Sequence, residues 1–406
     1  MNKYKFFLKD SAWSIAALVL MNSIVQLVLY PFLRNKLGAD EYGNVLYLIG
    51  IVNIIGTSVG CSANNSRLKN SVSKIPLGKT YHLFLLLCSV IFLPLSLGIL
   101  YFSGEKTTFS NILLYWLLIS ATTYRNYADV EYRLTTNYRH YFFYYLSITI
   151  GYIAGIPFFL LTGDWKLMFL MGEICSILTI VLRKKTNDQL EEPINKANIS
   201  RVFYSVVLLL LAQLMVNVVL NADRLVLKLF VSNTAVTIYY VASLIGKTVA
   251  LITGPLNSVI IGHLAKKEKN MNRPEFLKVS LFILLISFFV LGICVLGSHI
   301  FVSLFYPNEY ESAKSFFLLA NAAQIFYFVT GIINIILLRY IKEVYQIIIN
   351  GVYCLLFAII TIPATIYFGI WGFSYSICFV NILRFILAVA IGFCKLKNHH
   401  TEDYHE

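Results

Sequence analysis

Charge is the scarcest property of this sequence: 13% of its 406 residues are Asp, Glu, Lys or Arg, against 58% that are hydrophobic. A soluble domain carries about twice that charged fraction, so a soluble globular chain is excluded. Polar stretches are equally scarce. The longest runs from Arg183 to Arg201 and is too short to form a domain outside a membrane. Cys61, Cys88, Cys175, Cys294, Cys354, Cys378 and Cys394 lack any short-spaced pair, which suggests neither a disulfide framework nor a zinc site. A Gly-rich loop ending in Lys-Ser or Lys-Thr is missing as well, so nucleotide-driven pumping is not indicated. Alternation of apolar and polar residues is lacking, which argues against barrel strands. Connections such as TGDWK and YPNEYES leave little room for the catalytic groups of a polymerase or acyltransferase.

What is present is a series of long apolar runs. A helix that crosses hydrocarbon needs about 20 predominantly apolar residues, and that template is met near 11–31, 42–62, 81–103, 110–130, 141–162, 166–182, 202–223, 236–262, 276–304, 313–338, 344–368 and 373–394. The reading is an all-α polytopic membrane protein of about 12 transmembrane helices. The basic start MNKYKFFLKD leads into further spans without a small-residue cleavage signal, so it does not read as a removable signal peptide. Placing the N-terminus inside gathers most of the 33 lysines and arginines on the cytoplasmic side, and the C-terminus with them. The basic excess is then topology, and no nucleic-acid partner is implied.

The segment RKKTNDQLEEPINKANISR divides the chain into two sets of six spans. The expected organisation is an N-terminal lobe at 1–182, a cytoplasmic linker at 183–200, a C-terminal lobe at 201–395 and a cytoplasmic tail at 396–406. Because six is even, both lobes start on the same side, as in a parallel repeat. At one common shift Asn22 aligns with Gln213 and Gln26 with Asn217.

Polar residues inside the spans are the candidate functional groups. On a continuous helix at about 100° per residue, Gln213, Asn217, Asn221, Arg224 and Lys228 share one face roughly 80° wide, while Asp223 lies roughly 120° from its centre. Such a face is costly in hydrocarbon unless it meets protein or a wet cavity. Arg224 and Lys228 could instead reach outer headgroups. The twelfth span repeats the pattern with Ser374, Cys378, Asn381 and Arg384, and the eighth places Ser243 with Lys247. Lys247 and Arg384 are near mid-span, where a charge costs at least ~2.5 kcal/mol. If these helices converge they line a cationic pocket suited to a phosphate-bearing ligand. Glu173, the one carboxylate well inside the first six spans, is a candidate partner for Lys247 or Arg384. Arg125 reads either as an inside anchor or as a further cavity cation.

Three stretches carry a resemblance. YPFLRNKLGADEYGNVLYLIG, NADRLVLKLFVSNTAVTIYYVASLIGK and FGIWGFSYSICFVN are similar, in order and spacing, to junctions of the bacterial polysaccharide flippases of the multidrug/oligosaccharidyl-lipid/polysaccharide exporter superfamily. The resemblance implies two pseudo-symmetric six-helix lobes around a central cavity that opens alternately to either side of the inner membrane. It implies a polyprenyl-diphosphate-linked oligosaccharide as substrate, bound by cavity cations for which Lys247, Arg384, Arg224 and Arg125 are the candidates. A polysaccharide polymerase and a chain-length regulator are the protein partners that such a role calls for. No enzymatic step and no cofactor are expected, and any energy would come from a Na+ or H+ gradient or from the membrane potential, with Asp223 as one ion-ligand candidate. The rivals are a cation-coupled drug antiporter, for which a more acidic cavity is expected, and a membrane-embedded polymerase or acyltransferase.

Overall fold

The computed structural model describes residues 2–71, 77–184, 196–264, 271–342 and 344–396, with side chains outside 2–11, 183–184 and 250–264. Residues 185–195 of the expected linker and 397–406 of the expected tail lie outside the described residues. The described chain is helical and contains no strand. Among the described residues nine helices are long and apolar enough to cross a membrane. One of these, Val344–Lys395, is two helices joined at a kink, because Gly369 takes φ 57° and ψ −139°, a conformation open only to a residue without Cβ. Phe109–Ala128 and Asn233–Leu264 have the length of a span but carry more polar residues, Arg125 and Lys247 among them. Twelve membrane-length helices result, as the apolar runs predict.

By their contacts the helices form two compact units, Met1–Leu33 with Asn44–Leu225, and Arg34–Gly43 with Val226–Glu406. In the first unit, small residues set the spacing. A side chain at Gly172 would collide with the Tyr152 ring, and one at Gly60 would collide with the backbone of Thr123. A Cβ at Gly56 would sit 2.8 Å from the Thr122 methyl. Ala39–Ser71 and Trp165–Lys184 therefore approach Phe109–Ala128 and Tyr138–Ala154 closely, which brings Thr122, Arg125, Tyr152 and Glu173 within reach of one another. The seventh-span helix, Lys196–Leu220, belongs to this unit and not to the one that follows it in sequence. Hydrogen bonds fasten it there: Ser66 Oγ donates to Ser205 Oγ at 2.8 Å, and Asn217 Nδ2 to Ser58 Oγ at 3.0 Å. The opposite face exposes Leu208, Leu211 and Met215, as suits a lipid-facing surface.

In the second unit one asparagine ties three helices. Asn321 Nδ2 donates to Ser298 Oγ at 3.0 Å and to the carbonyls of Ala242 and Phe317 at 3.2 and 2.7 Å, while its Oδ1 accepts from Gly246 N at 2.7 Å. The segment Arg34–Gly43 is part of this unit although both its flanks are part of the other. A buried Arg34–Glu309 ion pair holds it, with Asn233 Nδ2 donating to Asp40 Oδ2 at 3.1 Å and Thr237 Oγ1 to the Ala39 carbonyl at 2.6 Å.

Candidate functional site

The first unit contains a cavity of about 130 Å³ whose wall includes Met21, Asn22, Gln26, Tyr30, Asn53, Thr122, Arg125, Tyr152, Phe169, Glu173 and Arg224. At ~10–15 Å³ per water position, this space has room for several waters. It is smaller than the roughly 300–1,000 Å³ of a pocket that swallows a whole drug-sized ligand. A charged headgroup is its scale.

Arg125 and Glu173 form the centre of the wall. They are 7% and 2% exposed, so neither charge is relieved by bulk water, and a buried charge must be paired to persist. Arg125 Nε lies 3.1 Å from Glu173 Oε1 and 3.0 Å from Oε2, with its hydrogen bond directed at Oε1. Thr122 Oγ1 and Tyr152 OH also donate to Oε1, at 3.2 and 2.9 Å. Oε2 is buried and accepts no hydrogen bond. Tyr144 OH donates to the Arg125 carbonyl at 3.2 Å, which fixes the helix that carries the guanidinium. Glu173, expected as a partner for Lys247 or Arg384, is thus engaged by Arg125 on a helix of its own unit.

Arg224 reaches the same cavity because the seventh span breaks. Lys196–Leu220 ends before Asn221, and Ala222–Phe230 starts a second helix. The single face predicted from Gln213 to Lys228 assumes a continuous helix and is therefore split. Gln213, Asn217 and Asn221 form a seam along their own helix: Asn217 Nδ2 donates to the Gln213 carbonyl and Asn221 Nδ2 to the Asn217 carbonyl, both at 2.9 Å. None of the three lines the cavity. Arg224 is 7% exposed and hydrogen-bonded to Tyr30, and Gly50 leaves room for its stem, since a Cβ there would lie 3.1 Å from Arg224 Cδ. Lys228 bonds to Asn233 in the second unit. Asp223 is buried in the first turn of Ala222–Phe230, where a carboxylate is favoured by the helix dipole. Among the described residues no group of three or more His, Cys, Asp or Glu comes together as a metal-binding set.

The first span is irregular at the corresponding depth. Val25–Leu29 is a π-helical turn between Asn2–Ile24 and Tyr30–Leu37. The extra residue per turn re-registers the helix, and Asn22, Gln26 and Tyr30 all line the cavity. Asn22 and Gln26 stand out in the sequence only as the repeat partners of Gln213 and Asn217. Their four-residue spacing in an apolar run was the signal for a cavity face.

The other sequence candidates are in the second unit. Arg384 is 7% exposed, and its guanidinium carbon is 4.6 Å from the Tyr327 ring centroid and 4.7 Å from that of Tyr353. Its Nη2 donates to Asn350 Oδ1 at 2.8 Å, and no carboxylate pairs with it among the described residues. Lys247 Nζ is 4.9 Å from the Tyr240 ring centroid. Asn381 Nδ2 donates to the Ala323 carbonyl at 3.0 Å.

No family model matches the chain, and no curated protein matches it in sequence. Solved structures match it in fold. The lipid II flippase MurJ, in an inward-closed conformation, is 12% identical, with 95% of this chain and 87% of that chain covered at a TM-score of 0.68. A MATE transporter of Vibrio cholerae is 13% identical over 96% of either chain, at a TM-score of 0.59. A MOP-superfamily transporter from Pyrococcus furiosus, described as having a binding pocket of reversed polarity, is 13% identical over 95% of this chain and 94% of that one, at 0.59. Over almost its whole length this chain is a multi-pass membrane protein with the fold of those transporters.

Proposed function

We propose that this protein transports an anionic, phosphate-bearing headgroup across the membrane. At its most specific, it flips polyprenyl-diphosphate-linked oligosaccharide units from the cytoplasmic to the outer face of the inner membrane for surface polysaccharide assembly. The observation that carries the reading is the placement of two buried arginines, Arg125 and Arg224, on the wall of one cavity whose lining holds a single carboxylate, Glu173. Two fixed guanidinium groups and one carboxylate leave an excess positive charge. In a low-dielectric interior that charge favours a diphosphate, which guanidinium forks grip bidentately, and repels the cationic drugs of an antiporter.

The physics of the task fits such a site. A diphosphate and its sugars cannot enter hydrocarbon, whereas a prenyl tail can stay in lipid. The protein therefore needs to shelter only the polar head, and no covalent step is involved. The fold shared with a lipid II flippase supports this reading at the level of architecture. A polymerase and a chain-length regulator would act on the delivered units, and both chain termini would be cytoplasmic.

The test is complementation of a deletion strain. Wild type restores surface polymer, whereas Arg224→Ala inserts and folds but leaves lipid-linked units facing the cytoplasm. Units that reach the outer face and stay unpolymerised would indicate a polymerase instead. Unchanged lipids with altered drug sensitivity would indicate an antiporter.

A further inference from the structure

Charge reaches the cavity wall from the fourth and sixth spans and from the helix after the seventh, through Arg125, Glu173 and Arg224. The first two spans supply amides instead. Asn22, Gln26 and Asn53 line the same cavity, Gln26 from within the π-helical turn Val25–Leu29. Asn321 and Asn217 show what a packing amide does: the one ties three helices through both its nitrogen and its oxygen, and the other reaches Ser58 on a neighbouring helix. Two of the cavity amides tie nothing together. Among the described residues Asn22 Nδ2 donates only to the Leu18 carbonyl of its own helix, at 2.8 Å, and the half-buried Asn53 makes no side-chain hydrogen bond. An amide offers two N–H groups and a carbonyl oxygen, and leaving them unmatched inside a membrane-length helix is costly unless water or a ligand meets them.

We propose that Asn22, Gln26 and Asn53 read the sugar ring joined to the diphosphate, so that the site separates a loaded lipid carrier from a bare one. This rests on the anion-site reading of the cavity. Amide oxygens repel a phosphate and match a hydroxyl, which both donates and accepts, so these three residues add to the site what its guanidinium groups lack. The ring next to the phosphate is the one they meet. It is bonded directly to the group that Arg125 and Arg224 attract, and a cavity of about 130 Å³ has the scale of such a unit rather than of a whole glycan. Tyr152 and Phe169, on the same wall, add aromatic surface of the kind that packs against the C–H groups of a pyranose. A carrier without sugar shares the lipid tail and the phosphate charge of the loaded one, so charge alone does not tell them apart. Hydroxyls do, because a site built to hydrogen-bond them is left with unpaired polar groups by a ligand that lacks them.

The test is isothermal titration of the purified full-length protein with citronellyl diphosphates whose second phosphate carries a methyl, glucosyl, galactosyl or N-acetylglucosaminyl ester. Tail and charge are the same in every probe, and only the ring differs. Wild type is expected to bind at least one glycosyl ester about tenfold or more tighter than the methyl ester, the worth of two hydrogen bonds. Asn53→Leu and Asn22→Leu are each expected to weaken that glycosyl ester about fivefold and to leave the methyl ester unchanged. Equal affinity of wild type for every probe overturns the proposal and leaves the anion site standing. A glycosyl preference that survives in the double variant places the recognition elsewhere, and an equal fall for glycosyl and methyl esters marks the amides as structural; either result overturns it too. Absence of all binding by wild type removes the anion-site reading and the sugar reading together. If a leucine variant does not fold, Asn53→Ser or Asn22→Ser, whose shorter side chain stops short of the ring, is read in its place.

Discussion

Arg125 and Arg384 are each 7% exposed inside a membrane-length helix, yet they are compensated by different chemistry. Arg125 is neutralised by a carboxylate beside a cavity, whereas Arg384 lies over the rings of Tyr327 and Tyr353 and donates to a neutral amide, Asn350. An ion pair is a charge that can be exchanged for another anion. Aromatic faces offer no such exchange, because their attraction to the cation comes from a fixed quadrupole. The first unit therefore holds a cation paired with a carboxylate, and the second holds one surrounded by neutral groups.

Removing the cation should separate the two most sharply. Arg125→Ala strands Glu173 without its counter-charge and is expected to cost about 3–5 kcal/mol, read as a large fall in thermal midpoint in detergent. Adding Glu173→Gln should recover much of that loss. Arg384→Ala forfeits two ring contacts and one hydrogen bond, about 2–3 kcal/mol, and no second substitution of a carboxylate should rescue it. If Arg384→Ala were the more damaging, the contrast between the paired cation and the one among neutral groups would be lost. Tyr152→Phe removes one of three donors to Glu173 Oε1 and should cost about 1.5 kcal/mol. Tyr353→Phe keeps the ring that faces Arg384 and should cost under about 0.5 kcal/mol by the same thermal measurement.

The spans were legible because hydrocarbon enforces length and composition, and each apolar run became a membrane-length helix. Contacts between helices were less legible. Glu173 and Arg125 are 48 residues apart, and nothing in periodicity says which of several cations a buried carboxylate will meet. The close approaches that join them depend on Gly60 and Gly172, whose smallness reads only as helix packing. The break at Asn221 has a local sequence pattern behind it. Asn221 followed by Asp223 is a helix-start pattern, a capping residue and then an acid in the first turn, and it explains why Asp223 and Arg224 stand side by side while facing different surroundings.

The chain leaves the first unit at Leu33, returns at Asn44 and leaves again after Leu225. A ribosome delivers it in one direction only. Arg34 must then wait for Glu309, 275 residues downstream, which at ~5–20 residues per second is roughly 14–55 s. Throughout that interval the Arg34 side chain lacks the Glu309 counter-charge that it has in the finished structure. The first unit likewise lacks one of its helices until Lys196–Leu220 has been made. Half-molecules severed between the two sets of six spans would inherit the problem permanently: one would carry Arg34 without Glu309, and the other would carry Lys196–Leu220 without the helices that hold it.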